Sequence, residues 1–264
     1  MALHASVADG RLIARMLSWA RLVFGLLCLL FELGLAPRPA VAGPPYVSDD
    51  PEPTDLGHFE IYGFTSGTAT RDGTTGQAGI DFNYGALPDL QVTIVVPSAF
   101  AAPAGGAPQV GFGNMQFAAK YRFLHQDSFG LDVSFFPRLF MPAGTPSVGN
   151  SNPSILLPLW LQRDWGKWSL FGGGGCAISY DPGQDFCLAG AVVTRQVLPD
   201  LRLGIEAQWQ SGNAEGALNS TGIGLGATYD LSEHIHLLAY VNRGVENPAA
   251  TDAISWYASV LLTF

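Results

Sequence analysis

Charge is what this chain has least of. Asp, Glu, Lys and Arg together make up 13% of its 264 residues, against roughly 25% in an average soluble domain. Little of that charge is positive. Beyond residue 42, nine Lys and Arg stand against twenty Asp and Glu, with no basic cluster, which argues against a nucleic-acid partner. Long apolar runs are missing as well. Past residue 42 nothing nears the roughly 18 consecutive apolar residues a spanning helix needs. Cysteine is sparse, three in all, with no Cys-x-x-Cys pair and no histidine beside Cys176 or Cys187. A redox motif or a cysteine-based metal site is therefore not indicated.

The usual catalytic signatures are also absent. There is no Gly-x-Ser-x-Gly elbow. Gly172–Gly175 lacks a following Gly-Lys-Ser/Thr and leads into a strand, so it is no phosphate loop. His234 and His236 share a strand face but sit beside a turn without a third ligand, which reads as a solvated turn. No metal, no cofactor and no enzymatic activity are expected. A barrel hydrolase stays open as an alternative, because a serine and a histidine can meet across strands without any local motif.

What is present is grease in small doses. Hydrophobic residues reach 48%, glycines number 32, and mean hydropathy is +0.21. A chain that is apolar without apolar runs must place its grease at alternating positions, as transmembrane barrels do. The last ten residues show this. Trp256, Ala258, Val260, Leu262 and Phe264 fall on one face of a strand, opposite Ser255, Tyr257, Ser259, Leu261 and Thr263. Such an end resembles the closing strand of an outer-membrane barrel and its assembly signal. A half-buried strand of a soluble periplasmic β-protein is the alternative.

The first 42 residues read as a secretory signal peptide. Arg15 and Arg21 precede the apolar core Leu22–Phe31, and Ala40-Val41-Ala42 offers a cleavage site. Met16 is an alternative start. Glu32 ends the apolar stretch too early for a membrane anchor. An exported chain meets oxidising conditions, which favours pairing of Cys176 with Cys187 over two free thiols. A hairpin turning at Asp181-Pro182 sets these cysteines directly opposite each other on neighbouring strands, because Tyr180 and Gly183 share the same midpoint.

Residues 43–56, rich in proline and aspartate, form an irregular periplasmic lead-in, since proline forbids regular pairing. The barrel follows over 57–264. Twelve strands are expected, at 57–69, 77–86, 90–101, 112–124, 129–141, 153–164, 167–180, 185–197, 201–211, 220–230, 234–243 and 253–264, each bound uncertain by about two to four residues. Turns such as Leu87-Pro88-Asp89 and Leu198-Pro199-Asp200 alternate with longer loops at 70–76, 102–111, 142–152, 181–184, 212–219 and 244–252. The loops are too modest to form a long plug. Phe117, Tyr121 and Phe123 alternate with Gln116, Lys120 and Arg122, and Leu203, Ile205 and Trp209 with Arg202, Glu206 and Gln208. Ile223 and Leu225 alternate with Gly222, Gly224 and Gly226. Apolar faces therefore point to lipid and polar or small ones to the lumen, the reverse of a soluble barrel. Tyr84, Tyr121, Phe123, Trp160, Trp165, Trp168, Tyr229 and Trp256 suit interfacial girdles.

The lumen-lining candidates are Glu60, Asp81, Lys120, Arg122, Asp132, Arg138, Arg202 and Glu206. Rings of such charges tune pores; alternatively they pair across the interior and fill it.

Several stretches in order resemble one bacterial family. They are Gly43-Pro44-Pro45, Asp49-Asp50-Pro51-Glu52-Pro53, Gly57-His58-Phe59-Glu60-Ile61-Tyr62, Asn83-Tyr84-Gly85, Lys120-Tyr121-Arg122-Phe123, Leu157-Pro158-Leu159-Trp160-Leu161-Gln162 and Tyr229-Asp230-Leu231-Ser232-Glu233-His234. The chain is similar to the outer-membrane proteins grouped as the MetA-pathway of phenol degradation. That resemblance implies an all-β, single up-and-down antiparallel barrel in the outer membrane, taking up aromatic or other hydrophobic small molecules. Its partners would be membrane lipid, the barrel assembly machinery and a small solute. A non-conducting structural or binding barrel is the alternative function.

Overall fold

A computed structural model describes residues 45–264 except 143, 146, 150, 151, 181, 182, 213 and 215. The expected signal peptide, the first two residues of the lead-in and the Asp181-Pro182 turn lie outside the described residues.

Alternation at period two is realised as fourteen strand segments: β1 (Phe59–Thr70), β2 (Gly73–Leu87), β3 (Leu90–Pro103), β4 (Gln109–Phe112), β5 (Met115–Leu124), β6 (Asp132–Phe135), β7 (Arg138–Met141), β8 (Ser154–Trp165), β9 (Trp168–Ser179), β10 (Phe186–Leu198), β11 (Leu201–Gln210), β12 (Ser220–Asp230), β13 (Ile235–Glu246) and β14 (Ile254–Thr263). They make twelve staves, because β4 with β5 and β6 with β7 are each one interrupted stave. β3 pairs with β5 over Leu90–Val95 and with β4 over Ser98–Ala101. The gap falls at Pro97, which has no N–H to give to the ladder. The second interruption is at Phe136-Pro137, for the same reason. β14 pairs antiparallel with β1, from Glu60↔Thr263 to Ala69↔Ile254, and closes the barrel. Closure removes the sheet edges that would otherwise expose unpaired backbone to lipid.

Faces sort as the alternation demands. Ile94, Ile205, Leu225 and Val241 are exposed on the outside, whereas Thr93, Ser134, Gln162 and Glu206 are buried within. An outer wall of this kind is covered by lipid, not by water. The C-terminal face Trp256, Ala258, Val260, Leu262 and Phe264 points outward. Leu261 and Tyr257 point inward, where they pack with Tyr62 and Leu238.

Phe59 and Phe264 exchange two backbone hydrogen bonds of 3.0 Å, so both ends of the wall meet at one rim. That rim carries the two-residue turns 88–89, 166–167 and 199–200; most of the longer loops lie at the other. Short turns mark the periplasmic end of outer-membrane barrels.

Three expectations change. The loop expected at 70–76 is only Arg71-Asp72, because β1 runs to Thr70 and β2 starts at Gly73. Thr70 Oγ1 accepts from the Asp72 N–H at 3.2 Å and bonds Gly73 O at 3.4 Å, tightening the turn. Trp160 leaves the girdle: on β8 it shares the inward face with Leu156, Pro158 and Gln162 and is 1% exposed. The described part of the lead-in, expected as a periplasmic segment, instead runs inside the barrel.

Candidate functional site: the barrel lumen

The lumen is built around residues 45–56. The Gly57 N–H bonds Gly85 O on β2 at 2.8 Å, and the preceding chain turns into the barrel at this rim. Thr54 follows, with its N–H and hydroxyl both on Gln91 Oε1 (2.8 and 3.1 Å). Gln162 of β8 reaches Glu52 Oε1 at 3.3 Å. Lys120 of β5 binds Glu52 O at 3.2 Å, Asp49 at 3.0 Å and Asp50 at 3.5 Å. Arg138 of β7 also pairs with Asp49. Both cations lie against the Phe136 ring, at 4.9 Å for Lys120 Nζ and 4.4 Å for Arg138 Cζ. The segment then crosses to the opposite wall. There Glu206 of β11 accepts from two successive amides, Val47 N–H at 3.1 Å and Ser48 N–H at 2.7 Å. Tyr46 packs edge-on against Phe171 and Tyr240.

The wall is shaped for this crosspiece. A Cβ at Gly204 or Gly226 would overlap the Tyr46 ring, and one at Gly190 would overlap the Ser48 hydroxyl. One inward glycine on each of β10, β11 and β12 thus makes room for the chain segment. Ser48, Asp49 and Asp50 are all buried. Burial and the adjacent Asp50 carboxyl push Glu52, which precedes the spanning strands, up to about 8.

All eight candidate charges sit on inward-facing positions, yet the structure does not assemble them into one ring. Lys120 and Arg138 converge on Asp49. Arg122 pairs with the turn residue Asp89 at 2.9 Å and lies 3.8 Å from Asp132. Asp132 Oδ1 accepts from the Gln126 N–H at 3.1 Å. Glu60 accepts from the Tyr62 hydroxyl at 3.1 Å, and Asp81 from Asn83 at 3.0 Å. Arg202 donates to Thr194 at 3.3 Å. Neither the ring nor mutual neutralisation describes this arrangement, because the main counter-charges come from Asp49 and Asp50. The sequence signal for that was the acidic Asp49-Asp50-Pro51-Glu52-Pro53 stretch just before the first strand, complementary to the inward Lys120 and Arg138.

Two cavities flank the crosspiece. The larger, about 700 Å³, lies toward the longer loops. No charged side chain lines it among the described residues; Tyr46, Tyr240, Tyr257, Gln77, Gln116 and Asn114 face it instead. The smaller, about 220 Å³, is bounded by Glu52, Glu60, Asp81, Lys120 and Arg138. Tyr46, Val47, Gln77, Gln116 and Tyr257 border both, so the cavities abut.

Cys176 and Cys187 are bonded, across the register pair Cys187↔Cys176, with Cα atoms 4.0 Å apart. They lie on the outward face near the loop end of β9 and β10. Among the described residues no group of three His, Cys, Asp or Glu is placed to hold a metal.

A closed twelve-stave barrel with a polar lumen and an apolar outer wall defines the class: a transmembrane β-barrel of the outer-membrane type. Within it, the chain belongs to the MetA-pathway of phenol degradation family, whose pattern matches residues 50–258. No curated protein sequence matches it. Among solved structures it is similar to an outer-membrane channel from Pseudomonas putida F1, with TM-score 0.63 at 14% identity over 81% of this chain and 98% of the other. It is similar also to the KdgM porin, with TM-score 0.55 at 12% identity over 78% and 99%. The β-domain of the Bordetella autotransporter BrkA matches with TM-score 0.54 at 12% identity, over 79% and 99%. Channels and an autotransporter share this architecture, so the lumen has to carry the functional argument.

Proposed function

We propose that this barrel mediates passive uptake of small, uncharged, aromatic or otherwise hydrophobic molecules across the outer membrane. The observation that carries the reading is the uncharged 700 Å³ vestibule. Its tyrosine rings offer faces to an aromatic solute, while Gln77, Gln116 and Asn114 can hydrogen-bond a single hydroxyl. A strongly hydrated ion or sugar would lose more water there than three amides replace. Family membership supports the same solute class. The outward apolar face ending in Phe264 supports recognition by the assembly machinery.

The test is single-channel conductance of refolded protein in a planar bilayer, with small phenols and neutral sugars added in turn. Current steps blocked by phenols and not by sugars are expected, and Gln116→Leu should weaken the block. Equal block by sugars would sink the aromatic reading. The filled lumen favours a second reading, a non-conducting binding barrel. Silence from protein that still shows a heat-dependent gel shift would establish it.

A further inference from the structure

Of the nine basic residues beyond residue 42, three gather on one patch of the outer wall. Arg163 on β8 shares the outward face with Leu161 and Trp165. Lys167 sits in the turn to β9, and Arg195 lies on the outward face of β10. The patch is at the periplasmic rim, where Trp165 pairs with Trp168 and Arg195 pairs with Trp168 across the ladder. Arg195 Cζ lies 5.0 Å from the Trp168 ring centroid. None of the three has a carboxylate within ion-pair distance or a side-chain hydrogen bond among the described residues, and Arg195 Nε is buried without a partner. Unpaired cations are unexpected in a chain of net charge −9, and more so on a wall that faces lipid.

A groove of about 600 Å³ runs along the wall beside them. It is lined by Val193, Leu203, Ile205, Leu225 and Val241, with Arg195 and Trp168 at one end. Ala227 and Ala239 form its floor, where larger side chains would fill it. The register explains the shape. Trp168, Arg195, Leu203 and Ala227 follow one another across successive strands, as do Leu170, Val193, Ile205 and Leu225 one step further from the rim.

The geometry points to a binding site for one anionic glycerophospholipid of the periplasmic leaflet. An acyl chain lies along the groove, and the phosphate sits among Arg195, Lys167 and Arg163. Position decides the source: a tryptophan-rich rim lies at headgroup depth, and at the end with the short turns that depth belongs to the inner leaflet. Charge decides the headgroup. With three cations and no carboxylate within ion-pair distance among the described residues, a lipid bearing net negative charge gains over a zwitterionic one, each basic residue adding about fivefold. Long Arg and Lys stems reach the headgroup while their methylenes cover apolar wall. The site is independent of what passes through the lumen.

Native mass spectrometry of the mature barrel, released from vesicles of equal phosphatidylglycerol and phosphatidylcholine, tests this. The barrel should retain one phosphatidylglycerol in preference to phosphatidylcholine by roughly tenfold or more. The triple variant Arg163→Gln, Lys167→Gln, Arg195→Gln should lose that preference while keeping its heat-dependent gel shift. Arg243→Gln, which removes an outward arginine elsewhere on the wall, should leave it intact. Equal retention of both lipids by the unmodified barrel, or undiminished preference in a folded triple variant, would overturn the site. So would a lipid-free dimer dissociated by the triple variant, since the patch would then join two copies of the chain.

Discussion

Lys120 is the residue on which most of the lumen depends. It is 3% exposed and touches Asp49, Asp50 and the Glu52 carbonyl. Replacing it with Met keeps much of the stem and removes the charge, leaving buried carboxylates short of a counter-ion. Losing one partner of a buried pair costs about 3–5 kcal/mol, and Arg138 holds Asp49 toward the low end of that range. Lys120→Met should therefore release the crosspiece while the wall stays folded. Larger conductance steps with an unchanged heat shift are the expected readout. Glu206 gives a parallel case at the other wall. Glu206→Ala strands the Val47 and Ser48 amides, each bond to a charged acceptor being worth about 1.5–3 kcal/mol, and should expose the segment to protease in folded protein. The inward direction of both residues was readable from alternation. Their common partner was not, because that contact spans 71 residues for Lys120 and 158 for Glu206.

At the scale of elements, the crosspiece should respond to pH. Free Glu52 would titrate near the ordinary glutamate value of about 4.3, whereas docked in the lumen it titrates at about 8. The neutral acid is thus the form that docks well. Docking is strongest below about pH 4.3, weakens as pH rises through about 8 and then levels off. Conductance should rise over that window, and Glu52→Gln should flatten the response; a profile unmoved by Glu52→Gln would assign the dependence to another group. The β9–β10 hairpin is a separate element with its own staple. Cys176 and Cys187 close a loop of sequence separation 11, worth about 3 kcal/mol on loop-entropy grounds. Replacing both with Ser should lower the hairpin's protection in hydrogen exchange and leave the barrel assembled, because eight further register pairs from Leu188↔Gly175 to Arg195↔Trp168 hold the strands together.

For the whole molecule the decisive fact is closure. The bonds between Phe59 and Phe264 complete the ring of staves, and Phe264 is itself exposed on the outer wall. Deleting Phe264 removes both of those bonds and the terminal aromatic together. The expected outcome is less heat-shifted barrel in the membrane fraction at equal synthesis, while material that does assemble conducts normally. The crosspiece adds a second level of organisation. With one segment touching β3, β5, β7, β8 and β11 by hydrogen bonds or ion pairs, opposite walls are coupled through the lumen rather than only around the circumference.

The sequence by itself determined the wall. Period-two alternation, tight Pro-Asp turns, the cysteine midpoint and the apolar final strand are local patterns, and each is decided by neighbours in the chain or one strand away. Even the misplaced features were local failures. Trp160 lies in a stretch without clean alternation, and the 70–76 loop shortened because β1 and β2 each run further than their alternation showed. Tertiary structure alone decided what fills the lumen and which cations meet on the outer wall. Twelve staves bring Gly190, Gly204 and Gly226 around Tyr46 and Ser48, and bring Arg163, Lys167 and Arg195 to one rim. Those groupings depend on the curvature and register of a closed sheet, which no window along the chain contains.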